Sequence, residues 1–290
     1  MKTRVIIPLL LLLIILSCKF SKSTGKDFQS GLTIKGDGLT CEEVFLSDGT
    51  VRITRNSFTY GETFYLNFDD ITGFVKEGEN VYPGMQLFVI SQSDDTVMSE
   101  NDMYIDYTEG INISPLALNA NITVADPIHS GNSFTLQVHI WDKKGEGTYD
   151  ALFHFDVVPD GNIQVESNRV GYGEIYLYSQ AAQEAITSGA VPLNETIYLI
   201  IEGLTGFTMK EGKANAGLSM KISDSAGTLL LSEDDLLADS QLDYSDLTTR
   251  IAPNFILTGT DIQSPVICEI VVWDKNGDGS IRTLMELDIE

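Results

Sequence analysis

The stretch FTLQVHIWDKKGEGTYDALFHFDV, residues 134–157, decides the fold, because its pattern returns near the end of the chain as VICEIVVWDKNGDGSIRTLMELDI, residues 266–289. Each copy reads as a strand, a tight acidic turn with glycines, and a second strand. The first strands alternate with a period of two, which puts Val138 and Ile140, and likewise Cys268, Ile270 and Val272, on one face directed to a core. Trp141 and Trp273 point the opposite way. Trp141-Asp142-Lys143 matches Trp273-Asp274-Lys275 at an offset of 132, and the closing strands Leu152–Val157 and Leu284–Ile289 align as well.

Working outward, the repetition extends through most of the chain. Glu62-Thr63-Phe64-Tyr65-Leu66, Ile71-Thr72-Gly73-Phe74 and Lys76-Glu77-Gly78 recur as Glu195-Thr196-Ile197-Tyr198-Leu199, Leu204-Thr205-Gly206-Phe207 and Lys210-Glu211-Gly212. Met98-Ser99-Glu100-Asn101-Asp102 recurs as Leu231-Ser232-Glu233-Asp234-Asp235. Ordered matches with little drift mark an internal duplication. Short runs rich in Val, Ile, Tyr, Phe and Thr, such as Thr63–Phe68, Met85–Ile90, Phe134–Ile140 and Ala151–Val157, are bounded by Gly, Asn, Asp and Pro. About seven or eight strands in roughly 120 residues predict an all-β fold of two tandem related β-sandwich domains. The first spans 32–158 and the second 163–290, with 159–162 (Pro159-Asp160-Gly161-Asn162) as the linking turn. Helix signals are confined to Tyr178–Ile186 and Ser232–Leu237. Retention of Thr-Gly-Phe at 72–74 and 205–207 is read as a need for glycine at a tight strand exit.

The N-terminus carries Lys2 and Arg4, an apolar run from Val5 to Leu16, then Ser17 and Cys18. Roughly a dozen apolar residues suit a signal peptide and fall short of the ~20 that span a bilayer. Ile15-Leu16-Ser17-Cys18 resembles the lipobox of bacterial lipoproteins. That resemblance implies cleavage of residues 1–17 and a diacylglycerol on Cys18, with lasting attachment to the membrane through several acyl chains. Residues 18–31, rich in Ser, Lys and Gly, are read as a flexible tether. Lys19 does not resemble an inner-membrane retention signal, so the outer membrane is the expected location, facing the periplasm or the cell surface.

The chain has 18 Lys and Arg against 42 Asp and Glu, a formal net charge of −24. Such a field repels phosphate backbones and excludes nucleic acid as a partner class. Cys41 and Cys268 are expected to be unpaired and buried. The three histidines, His129, His139 and His154, lie in the first half at spacings that suit neither a metal pair nor a nucleophile partner. Phosphate-loop, nucleophile-elbow and dinucleotide motifs are absent from the sequence, so no catalytic residue is assigned.

Two constellations remain. Asp274, Asn276, Asp278 and Ser280 place oxygens at alternating positions around Gly277 and Gly279, as the first half of an EF-hand-type calcium loop does. Its twelfth place is Met285, so a further carboxylate, from Glu286 or Glu233-Asp234-Asp235, would be needed. The matching loop of the first copy holds Lys144 where an oxygen is required. A plain glycine-bearing hairpin explains both loops without an ion. The stretch Val271–Gly279 also resembles the penultimate strand and loop of C2 domains, which implies a C2-like or immunoglobulin-like sandwich. Trp141 and Trp273 are candidate stacking surfaces for sugar rings, or else rim residues packed beneath their own loops. The resulting expectation is a non-catalytic, lipid-anchored envelope protein that binds or spaces a protein or glycan partner. The alternatives are a calcium-responsive adhesion module and a carboxylate hydrolase working in an interdomain cleft.

Overall fold

The computed structural model describes residues 22–26, 31–259 and 261–290. The signal segment and Cys18 lie outside the described residues. The described chain is all-β, with one helix, Tyr244–Thr249.

In the first half, Lys22–Lys26, Thr33–Asp37, Thr148–Val158, Ser133–Asp142, Pro83–Ser91 and Thr96–Glu100 follow one another across an antiparallel sheet. Ser57–Thr59 runs parallel to the end of Thr148–Val158. The facing sheet has the order Arg52–Ile53, Glu43–Ser47, Thr63–Asp69, Leu118–Thr123. The second half repeats this plan. Ile163–Asn168, Ser280–Ile289, Val266–Asp274, Ala216–Asp224 and Leu229–Glu233 form one sheet, with Ala190–Val191 parallel to the end of Ser280–Ile289. Glu184–Ile186, Ile175–Ser179 and Thr196–Glu202 form the other, extended by Arg250–Ile251 and Asn254–Ile256.

Alternation drives the packing. Phe134, Leu136, Val138 and Ile140 are buried, while the residues between them are half-exposed. Inward residues of the two sheets in each half join one buried cluster, residues 32–157 supplying the first and 163–287 the second. The first core is aromatic: Phe58 stacks on Phe64 with centroids 4.2 Å apart, and Phe153 and Phe155 meet Phe58 edge-on. The second is aliphatic, built on residues such as Leu199, Ile222, Val266 and Leu287. Full burial of one such side chain contributes about 1.5–3 kcal/mol.

Three segments differ from the sequence expectation. Tyr178–Ile186 is a hairpin, not a helix: Ile175–Ser179 turns back into Glu184–Ile186, with Gln183 in the left-handed region at φ 57°. Glu184 and Ala185 pair back onto Ser179 and Tyr178, and Ile175–Ser179 pairs in turn with Thr196–Glu202, which together override the local helix preference of Ala and Glu. Ser232–Leu237 is likewise non-helical, since Leu229–Glu233 pairs along Ala216–Asp224. Within the expected tether, Lys22–Lys26 is a strand in register with Thr33–Asp37.

Candidate functional site

Each Trp-Asp-Lys hairpin is held by its aspartate. Asp274 is 4% exposed. Its Oδ2 accepts the Thr208 N–H at 2.7 Å and its Oδ1 accepts the Asn276 N–H at 2.9 Å. Burial alone would raise its pKa, but the bonds from the Thr208 side chain and amide and the Asn276 amide, helped by Lys210, hold the carboxyl below its ordinary range. Asp142 repeats the arrangement, with Oδ2 accepting Val75 N–H at 2.6 Å and Oδ1 accepting Lys144 N–H at 2.9 Å.

The lysines repeat as well. Lys275 Nζ lies 2.5 Å from Asp235 Oδ2 and donates to the Ala238 carbonyl; Lys143 Nζ lies 2.8 Å from Asp102 Oδ2 and donates to the Tyr104 carbonyl. Asp235 Oδ1 in turn accepts the amides of Leu218, Leu237 and Ala238. Within the Glu233-Asp234-Asp235 run, Asp235 thus ties its loop to the hairpin. The glycine of each Thr-Gly-Phe element is required sterically. Gly73 and Gly206 have φ of 103° and 88°, and a Cβ would strike the Gly38 and Arg169 carbonyl oxygens respectively.

The four oxygen-bearing residues of the second loop are thus engaged as follows. Asp274 serves backbone amides. Asn276 Oδ1 accepts from Lys210 Nζ at 3.1 Å, Asp278 Oδ2 pairs with Arg169 at 3.0 Å, and Ser280 opens the outgoing strand. Among the described residues, no group of three or more His, Cys, Asp and Glu is placed to hold a metal ion.

Trp141 and Trp273 occupy equivalent places, opposite Gly84 and Gly217 on the neighbouring strands. A Cβ on either glycine would fall within van der Waals contact of the indole, nearest Cε2 and next its bonded neighbours Cζ2 and Nε1. That order of contacts means the face of the ring, not its edge, lies over the glycine. Both tryptophans are half-buried. This pairing was missed by sequence reading because it depends on register; the signal present is a glycine, Gly84 or Gly217, one place before Met85 or Leu218 in each copy.

The two halves meet at a polar joint. Glu174, whose side chain is 5% exposed, accepts Ser130 N–H at 2.7 Å on Oε1 and Ser130 Oγ–H at 2.8 Å on Oε2. His129 stands 3.5 Å from Glu174 and 3.1 Å from Asp126, with its ring parallel to Tyr60. Tyr60 meets Tyr176 at 5.3 Å, and the Tyr176 hydroxyl donates to Glu202. Burial pushes the Tyr60 hydroxyl up to about 12. Gly61 abuts Ala185 so closely that no Cβ fits. Beside the joint is a cleft of about 540 Å³ lined by Tyr60, Glu62, Tyr178 and Glu184 among others. Glu62 is occupied there by Arg55 and by the Thr59 amide.

The other groups singled out are accounted for locally. His139 Nδ1 lies 2.6 Å from Asp150 and His154 Nδ1 lies 2.8 Å from Thr135, both across strands. Cys41 and Cys268 are unpaired. Cys268 is fully buried and Cys41 only partly so, and burial pushes their thiols up to about 12 and about 11. Neither carries an appreciable thiolate at neutral pH.

No protein-family model matches the chain, and no curated protein matches it. Among solved structures, one called pT26-6p is similar at 11% identity with a TM-score of 0.28, over 92% of this chain and 65% of that chain. The chain therefore spans about 65% of the length of that structure, and likeness at this score carries no argument.

Proposed function

We propose that this is a lipid-anchored protein of the bacterial cell envelope, attached to the outer membrane through Cys18, that holds a binding surface for a protein or glycan partner at a fixed distance and performs no catalysis. The joint between the halves carries this reading. The buried Glu174 carboxylate keeps its two bonds to Ser130 in only one packed placement of the two units, since any other packed placement would bury it without those donors. Fixed placement is what a spacer or display module requires. The duplicated hairpins support the same reading, because their aspartates and lysines are spent on holding loops.

Two measurements test it. Wild-type protein should fractionate with membranes and Cys18→Ala with the soluble fraction. X-ray scattering of the chain lacking residues 1–18 should give one maximum dimension, with Glu174→Gln plus Ser130→Ala broadening the distance distribution. Release that does not depend on Cys18, or turnover of an envelope polymer abolished by a single carboxylate substitution, would overturn the proposal.

A further inference from the structure

The outer faces of the two equivalent sheets have diverged. In the first half, strand register places Gly84, Trp141, Thr148 and Asp37 in one row across the sheet, Gln86, His139, Asp150 and Lys35 in the next, and Phe88, Gln137, Leu152 and Thr33 in a third. In the second half the rows read Gly217, Trp273, Ser280, Asn168; then Ser219, Val271, Arg282, Glu166; then Lys221, Glu269, Leu284, Gln164.

The second face is crossed by a charge network, although among the described residues Lys221 and the Gln164 side-chain amide have no partner there. Arg282 pairs with Glu166 at 3.1 Å and with Glu269 at 2.8 Å. The first face is open. A depression of about 340 Å³ runs over Lys35, Gln86, Phe88, Gln137, His139 and Asp150. Among the described residues the side-chain amides of Gln86 and Gln137 have no hydrogen-bond partner, and Lys35 has no ion pair. His139 is aligned by Asp150 and lies nearly parallel to Trp141, with 18° between ring planes. One face of Trp141 rests on Gly84.

From this contrast we infer that the outer face of the first sheet is a binding site for an uncharged polysaccharide. Each free amide offers a donor and an acceptor to hydroxyl groups, which are themselves both. The ring of Phe88 and the indole of Trp141 supply flat apolar surface for the carbon-bound hydrogens of a sugar. The three rows carry only Asp37, Asp150 and Lys35 as charged side chains, a small local charge in a protein whose overall charge is −24. A polyanion would meet that overall field, whereas a neutral chain would not.

The inference rests on the display function proposed above and narrows its partner to a glycan. The test is affinity electrophoresis of the chain lacking residues 1–18 in gels cast with dextran, starch, mannan, xylan or, as polyanion, alginate. At least one neutral polysaccharide should retard it, and Gln86→Ala with Gln137→Ala should weaken that retardation at least tenfold. Gln137→Glu, which removes the amide donor and leaves only acceptors, should also weaken it, and Lys221→Ala on the second face should leave it unchanged. Tryptophan emission and far-UV circular dichroism of each variant check the fold. No retardation in any neutral gel, retardation in alginate alone, or retardation that survives the double substitution in a folded protein overturns the inference. Membrane attachment through Cys18 and the single scattering dimension are independent of these gels, so either conclusion can fail without the other.

Discussion

Thr208 N–H and Asp274 Oδ2 are 2.7 Å apart, joining two loops that lie 66 residues apart in the sequence, and Val75 and Asp142 repeat the contact at 2.6 Å. The aspartate is the component of the hairpin that nothing else replaces. Asp274→Ala leaves two amides without their acceptor and should destabilise the second unit by roughly 1–3 kcal/mol. Urea unfolding followed by tryptophan emission measures this, with Trp273 beside the altered loop and Trp141 reporting the undisturbed unit. An unchanged midpoint would show that water serves the amides equally well.

The depressed pKa of Asp274 sets a pH dependence. Its folded-state pKa lies below the unfolded value of ~3.9, so its contribution is fully present above that value and is lost as the pH falls through the folded pKa. Asp235, held down by Lys275 and the Leu218 amide against the opposing effect of burial, acts in the same direction. Replacing Asp274 with Asn removes its titration. Acid unfolding of the second unit should then be less steep than in the wild type between about pH 5 and about pH 2. Curves of identical slope would refute the assignment.

Calcium should not stabilise the second hairpin. Asp274 is committed to amides, while Lys210 and Arg169 meet Asn276 and Asp278. Ligand linkage would raise the melting midpoint in proportion to occupancy. Midpoints in millimolar calcium and in excess chelator should coincide, and a reproducible rise with calcium would reinstate the loop as an ion site.

Gly84→Ala and Gly217→Ala each push a methyl into the face of an indole. Overpacking of this kind costs about 1–3 kcal/mol. Each substitution should also red-shift the emission of its own tryptophan as the ring lifts from the sheet. Unaltered spectra and stability would show that the rings have room to slide.

How much of this was legible beforehand depends on range. The long strands followed from alternation, because period-two burial is written into residues such as Phe134, Leu136, Val138 and Ile140 themselves. The hairpin at Tyr178–Ile186 was misread since its inner strand, Ile175–Ser179, is fixed by Thr196–Glu202 outside the local window, and Glu184–Ile186 then pairs onto that strand against the helix preference of Ala and Glu. Trp141 on Gly84 and Ser130 on Glu174 were out of reach for a related reason. They join residues 57 and 44 positions apart, and only strand register or the docking of two units brings them together. The oxygens of Asp274, Asn276 and Asp278 are plain in the sequence, yet sequence does not say which donors reach them first.

The strand Lys22–Lys26 bears on how the protein would carry a mechanical load. Thr33 and Leu152 are paired, so a chain held at residue 32 and pulled from Val158 would be gripped at the same end of two antiparallel strands and would peel open one hydrogen bond after another. Lys22 pairs with Asp37, at the opposite end. Tension arriving through Lys22 instead runs lengthwise along the strand, and the bonds to Thr33–Asp37 resist together in shear. A short edge strand thus turns a zipper into a lap joint for any load that would enter through Lys22.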